Sequence, residues 1–184
     1  MDIVNQIKNT IGNFVFENKF RNLKRKVKAI NLKQSIYIGI IYDASNEDGY
    51  KKVKNWVKIL KEDKKKVKAL GYINTNTFQA HHLSKLDFDF HSAADLNWYN
   101  HSKSSIIHNF VNEKFDILLD LNFDDCKPAY YIAALSQSPF KVGKLSPQNK
   151  LSHDLLIDIS KHNNNMDYFI TQAYYYLQLI NSHE

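Results

Sequence analysis

The sequence predicts an α/β fold: a Rossmann-like, doubly wound, mostly parallel sheet of about six strands, preceded by a basic amphipathic N-terminal helix. Two apolar runs point to it, Ile36–Tyr42 and Ile117–Leu121, because strands covered on both faces lose the alternation of a half-exposed strand. Strand-like and helix-like stretches then alternate from Ser35 to the end. With 184 residues, 43% of them apolar and including 11 Tyr and 11 Phe, the chain is long enough for one real core. The division follows as residues 1–34, the basic leader, and residues 35–184, a single α/β domain.

From Asp2 to about Ile30, Ile3, Ile7, Ile11, Phe14, Val15, Phe20, Leu23, Val27 and Ile30 recur at helical spacing. Lys19, Arg21, Lys24, Arg25, Lys26 and Lys28 lie between them. The leader holds 8 Lys+Arg against 2 Asp+Glu, while the remaining residues hold 17 of each, so the whole net charge of +6 sits here. One reading is a helix lying on the body of its own domain with a solvated lysine face; the other is a charge-selected partner meeting this segment, either an anionic membrane surface or RNA and the ribosome.

Ile36–Tyr42 is the first central strand, and Asp43–Glu47 is a short turn in which Ser45 or Asn46 caps a helix running to about Asp63. Tyr50, Val53, Val57 and Leu60 share one face of that helix, and Trp56 anchors it. Val67–Ile73 is the second strand. Asn74–Ser84 is a polar loop, where adjacent His81 and His82 cannot share a helix face and read as surface histidines. Leu86–Phe90 is the third strand, and His91–Ser105 is a long aromatic and polar loop in which Trp98 and Tyr99 cover the core edge or line a groove. Ser104–Glu113 is a helix.

Ile117–Leu121 is the fourth strand. Asn122 to Asp125 supplies turn and N-cap residues, and Pro128 suits the first turn of a helix to Ser136. Phe140–Val142, with Gly143 permitting a close turn, is the fifth strand, and Leu155–Ile159 the sixth. The aromatic helix Asp167–Ile180 closes the chain as core and edge packing.

The simplest strand order is 3-2-1-4-5-6, which sets the first and fourth strands side by side and their following turns face to face. The candidate ligand crevice is therefore Asp43, Ser45, Asn46, Asn122, Asp124, Asp125 and Cys126. No nucleotide cofactor is expected, because there is no GxGxxG or P-loop, and Glu47 and Asp48 would repel a phosphate from the helix end. No metal is expected, since capping explains Asp124 and Asp125. No catalytic set is complete: the two aspartates beside Cys126 oppose thiolate formation, and a packed thiol is the default. A single cysteine, with no bilayer-length apolar run and no secretory leader, points to the cytoplasm, with room for contact at the inner membrane surface.

IGIIYDASNEDGYKKVKNWVKILK, VKALGYIN, DLNWY, the stretch Phe115–Ser146 and the terminal helix together resemble an uncharacterised family of short Bacteroidota proteins. Phe115–Ser146 alone is similar to the strand-loop-helix-strand of the N-terminal half of heptosyltransferase-like glycosyltransferases. The first resemblance implies an α/β fold and a cytoplasmic location. The second implies a half-domain lacking the nucleotide-sugar partner domain. The expected function is a non-catalytic binding or adaptor domain whose basic helix meets an anionic partner. The alternative is an enzyme acting on a small polar or sugar-like substrate at the crevice, with Asp124 or Asp125 as base.

Overall fold

In a computed structural model, residues 3–74, 82, 86–95, 97, 104–123 and 126–181 are described. Helix α1 covers Ile3–Arg21 and strand β1 Tyr37–Asp43, followed by α2 (Glu47–Glu62), β2 (Lys66–Ile73), β3 (Phe88–Ser92) and α3 (Ser105–Asn112). After β4 (Ile117–Leu121) come α4 (Lys127–Leu135), β5 (Phe140–Lys144), β6 (Leu155–Ile157) and α5 (Met166–Leu179). The six strands form one sheet in the order β3-β2-β1-β4-β5-β6, all parallel, which is the doubly wound order the sequence predicts.

Both faces of the sheet are covered, which explains the unbroken apolar runs. One set of alternating side chains, Ile38, Ile40, Leu119 and Val142 among them, packs on Val53, Trp56, Val57 and Leu60 of α2 and on Phe169, Ala173 and Leu177 of α5. The complementary set, including Ile41, Leu70 and Leu118, packs on Ile107 and Phe110 of α3 and Ala129, Ile132 and Ala133 of α4. Register sets Ile41 beside Asp120 and Asp120 beside Gly143, so one carboxylate enters an otherwise apolar strand.

The leader departs from expectation. Its helix ends at Arg21, where Asn22 folds its side-chain amide back onto the Asn18 carbonyl at 2.7 Å, an interaction that competes with continued helix. Residues 22–36 run as a non-helical strap over the domain. Lys28 N–H donates to the Pro139 carbonyl at 3.0 Å, and Leu32 N–H donates to Leu177 at 2.9 Å. Asn31 donates its side-chain N–H to the carbonyls of Gln178 and Ile180. The spacing of Leu23, Val27 and Ile30 is helical, but the N–H groups of Lys28 and Leu32 go to Pro139 and Leu177 instead of to carbonyls four residues earlier, and tertiary context outweighs a weak local propensity.

Helix α1 packs on α4 through Phe16, stacked 4.2 Å from the Tyr131 ring, with Phe20 beside it, and Tyr131 donates to Asn13 Oδ1 at 2.6 Å. Among the described residues, no helix is long and apolar enough to cross a membrane.

Candidate functional site

The turns after β1 and β4 do stand side by side. Asp43 extends from the end of β1, and its carboxylate accepts from Ser45 N–H at 2.8 Å. Ser45 Oγ accepts from Asn74 N–H at 2.8 Å, tying this turn to the end of β2. Asn46 is the N-cap of α2, accepting from Gly49 N–H at 2.8 Å. Each of the three candidates from this turn is thus already engaged in local structure, and Glu47 and Asp48 sit in the first helical turn.

Asp43 and Asn122 face one narrow crevice together with Tyr72, Asn74, Phe123 and Cys126. Burial, then the negative charge that Cys126 and Asp43 can carry, pushes the Tyr72 hydroxyl up to about 12, so it stays a neutral donor at physiological pH. Cys126 is the N-cap residue of α4, and its thiol makes no capping bond to that helix. Asp124 and Asp125 lie outside the described residues. On the α2 and α5 side, Asp43 and Asn46 also line a wider cavity of about 330 Å³ with Asp48, Lys52, Phe123, His162 and Asn163 to Asn165. Asn163 and Asn164 hold positive φ, a conformation asparagine tolerates better than most residues. Carboxylates and amides dominate these walls, so they suit a neutral hydrogen-bonding ligand better than a phosphate.

One buried polar cluster was not singled out by sequence reasoning. Asp120 is 3% exposed; its Oδ1 accepts from Asn122 N–H at 3.0 Å and from the Asn122 side-chain N–H at 2.7 Å. Its Oδ2 lies 3.2 Å from His153 Nε2, an ion-pair distance, although the two are not aligned as a hydrogen bond. His153 Nδ1 is 2.9 Å from Ser152 Oγ. Gly143 makes this possible, since a Cβ there would come within 2.8 Å of the His153 ring. The available signal was one charged residue in the run ILLDL and the polar triplet Ser152, His153 and Asp154.

Beneath them, Lys141 is wholly buried and donates to the Ala134 carbonyl near the C-terminal end of α4 at 2.6 Å. Burial, then the Arg25 charge, pushes its amine down to about 7, with Asp154 and Asp120 pulling the other way. His82, expected at the surface, is buried instead, its Nε2 2.7 Å from the Ala44 carbonyl behind the β1 turn. His81 lies outside the described residues.

Of the leader cations, Lys19, Arg21, Lys24, Lys26 and Lys28 are exposed. Arg25 is not available to a partner in the same way. Its guanidinium grips Asp154 at 2.6 and 2.8 Å, with each of the two side chains 13% exposed, and reaches the carbonyls of Ser138 and Pro139. Among the described residues, no three His, Cys, Asp or Glu side chains gather as metal ligands.

Fold and crevice together define a Rossmann-like α/β protein with polar clefts at the carboxyl edge of its sheet. The chain belongs to the family of unknown function DUF6913, whose family pattern matches residues 8–180. No curated protein and no solved structure matches it.

Proposed function

We propose that this protein is a cytoplasmic adaptor that docks on an anionic lipid surface, such as the inner membrane, through its N-terminal segment. One observation carries the reading. Ile3, Ile7, Ile11 and Phe14 are 71, 51, 36 and 72% exposed, and at a turn of 100° per residue they fall within an arc of about 80° on the side of α1 turned away from Phe16 and Phe20. An apolar stripe followed by the exposed cations Lys19, Arg21, Lys24, Lys26 and Lys28 has what an interfacial anchor needs: side chains that bury in the acyl boundary and charges that neutralise lipid headgroups. RNA docking uses the cations alone and leaves the stripe in water, so lipid is favoured.

The test is flotation of the full chain with vesicles of phosphatidylglycerol in phosphatidylcholine, against phosphatidylcholine alone. Binding is expected only to the anionic vesicles. It should weaken with salt and be lost in Ile7→Glu with Phe14→Glu while the melting temperature is kept. Binding that survives the double substitution, a stripe covered by a second copy in sedimentation, or salt-sensitive capture of RNA without vesicle binding overturns the reading.

A second reading is supported by the meeting of Asp43, Tyr72, Asn122 and Cys126 in one crevice: an enzyme or binding protein for a small polar, sugar-like molecule at the switch point. The asparagine-rich cavity beside it points the same way.

A further inference from the structure

The cavity of about 330 Å³ between the N-terminal ends of α2 and α5 has a wall of two kinds. Leu121 is buried and Phe123 and Met166 are half-buried, whereas Asn46 and Asn165 are exposed, so apolar side chains make its deeper part and polar ones its mouth. Phe123 is fixed from two sides. Its carbonyl accepts from Lys144 Nζ at 2.6 Å, and its ring lies 5.4 Å from that of Phe169 in α5. The apolar wall is therefore in place before any ligand arrives.

The bonds that hold backbone at the mouth also fix which groups remain for a ligand. Asn46 and Asn165 are the N-caps of α2 and α5, and each uses its Oδ1 on a backbone N–H, that of Gly49 at 2.8 Å and that of Tyr168 at 3.0 Å. A backbone N–H can only donate, so the cap decides which end of each amide is oxygen, and both Nδ2 groups are left as donors. Asp43 uses Oδ1 on Ser45 N–H, which leaves Oδ2 as an acceptor. Among the described residues, these remaining groups have no partner. Lys52, on the same wall, is held by Asp48 at 2.8 Å and Asp167 at 3.4 Å, so its charge already faces two carboxylates. With Asp43 and Asp48 on the wall as well, a phosphate would meet repulsion there.

Amide donors and one carboxylate acceptor around an apolar wall match a ligand that carries hydroxyls on its edge and C–H bonds on its face. We propose that this cavity seats one uncharged, unphosphorylated monosaccharide ring, its hydroxyls held by Asp43 Oδ2 and the amides of Asn46 and Asn165 and its C–H face against Phe123. This rests on the reading of the switch point as a small-ligand site and assigns that ligand's seat and chemical class. Asp43 and Phe123 also line the crevice that holds Tyr72 and Cys126, so the seat adjoins that crevice directly.

The probes are methyl α-D-glucopyranoside, methyl α-D-mannopyranoside and methyl α-D-galactopyranoside, titrated into the full chain and read by saturation-transfer NMR, with glucose 6-phosphate as the charged counterpart. At least one glycoside is expected to receive saturation and to bind more tightly than the phosphate ester. Asn46→Ser with Asn165→Ser keeps both caps, since serine caps a helix about as well as asparagine, but loses both amides. The dissociation constant should rise about tenfold, for two neutral hydrogen bonds, at an unchanged melting temperature. These asparagines line the cavity and not the crevice. Cys126, the only cysteine of the chain, lines the crevice, so its alkylation by iodoacetamide, read by intact mass, reports occupancy there. Equal affinity of wild type and double variant overturns the seat, and slowed alkylation by the same glycoside then keeps the crevice as the ligand site. Saturation transfer to none of the three also overturns the seat, and unslowed alkylation then removes the crevice reading with it. Glucose 6-phosphate bound as tightly as the glycosides overturns the assignment to uncharged sugars. If the double variant melts lower, Asp43→Asn, whose amide oxygen can still accept from Ser45, replaces it, and unchanged affinity there overturns the proposal.

Discussion

The turns after β1 and β4 face each other across the switch point, and each opens on an aspartate that accepts the N–H two residues on, yet only the second aspartate also faces an ionisable side chain from far along the chain. After β1, Asp43 closes a turn on Ser45, Ser45 ties down Asn74, and Asn46 caps α2, so each side chain holds backbone in place. At β4, Asp120 accepts from both the backbone and the side-chain N–H of Asn122, and its second oxygen then faces the ring of His153, 33 positions further along the chain. The first turn is scaffold. The second keeps ionisable groups in reserve, and doing so destabilises the fold unless every partner is present.

The sharpest way to break this contrast is His153→Ala. It strands the Asp120 carboxylate in the core and should cost about 3 kcal/mol of unfolding free energy, as for other broken buried pairs. Urea denaturation measures it, and a cost near that of an exposed substitution would place Asp120 among the scaffold residues.

A second experiment uses Lys141. Its folded value lies below the ordinary lysine range, so between about pH 7 and that range the unfolded chain binds a proton that the folded chain refuses. Stability therefore rises as pH climbs from about 7 toward 10, by no more than about 1.4 kcal/mol per pH unit, and falls as pH drops back. Chemical denaturation of wild type and Lys141→Met across that window should show the slope in the first and a flatter profile in the second.

The smallest effect belongs to the scaffold turn. Asn46→Ala removes one capping bond and should lower stability by about 1 kcal/mol without altering Cys126 alkylation. A change in thiol reactivity would show that the two turns are coupled.

Most of the fold was legible because burial on both faces writes itself into composition. The helix after β1 was read to two neighbouring candidate caps, Ser45 and Asn46, of which Asn46 is the cap, since capping is a local signal. Local signals also misled. Leu23, Val27 and Ile30 keep helical spacing in a strap whose conformation is set by carbonyls of Pro139 and Leu177, far along the chain. His82 carries no pattern of its own, and its burial depends on the Ala44 carbonyl behind the β1 turn. Of the candidate crevice, Asp43, Asn122 and Cys126 meet, Asn46 joins on the neighbouring side, and Ser45 is occupied by Asn74. Asp120 was visible as one charge in an apolar strand, but its surroundings were not, since nothing local relates it to residues 152 and 153.

Sequence alone determined the strands, their order, the helices that cover them and the concentration of positive charge near the N-terminus, because period, capping and composition act over a few neighbouring residues. Only the tertiary structure decided which polar groups are spent and which are held together unspent. That depends on parallel strands bringing Asp120, Gly143 and His153 into one space, and on Arg25 finding Asp154 instead of a partner's phosphate. Contacts between residues distant in sequence leave no periodic trace, so the chemistry they create becomes readable only when the chain is folded.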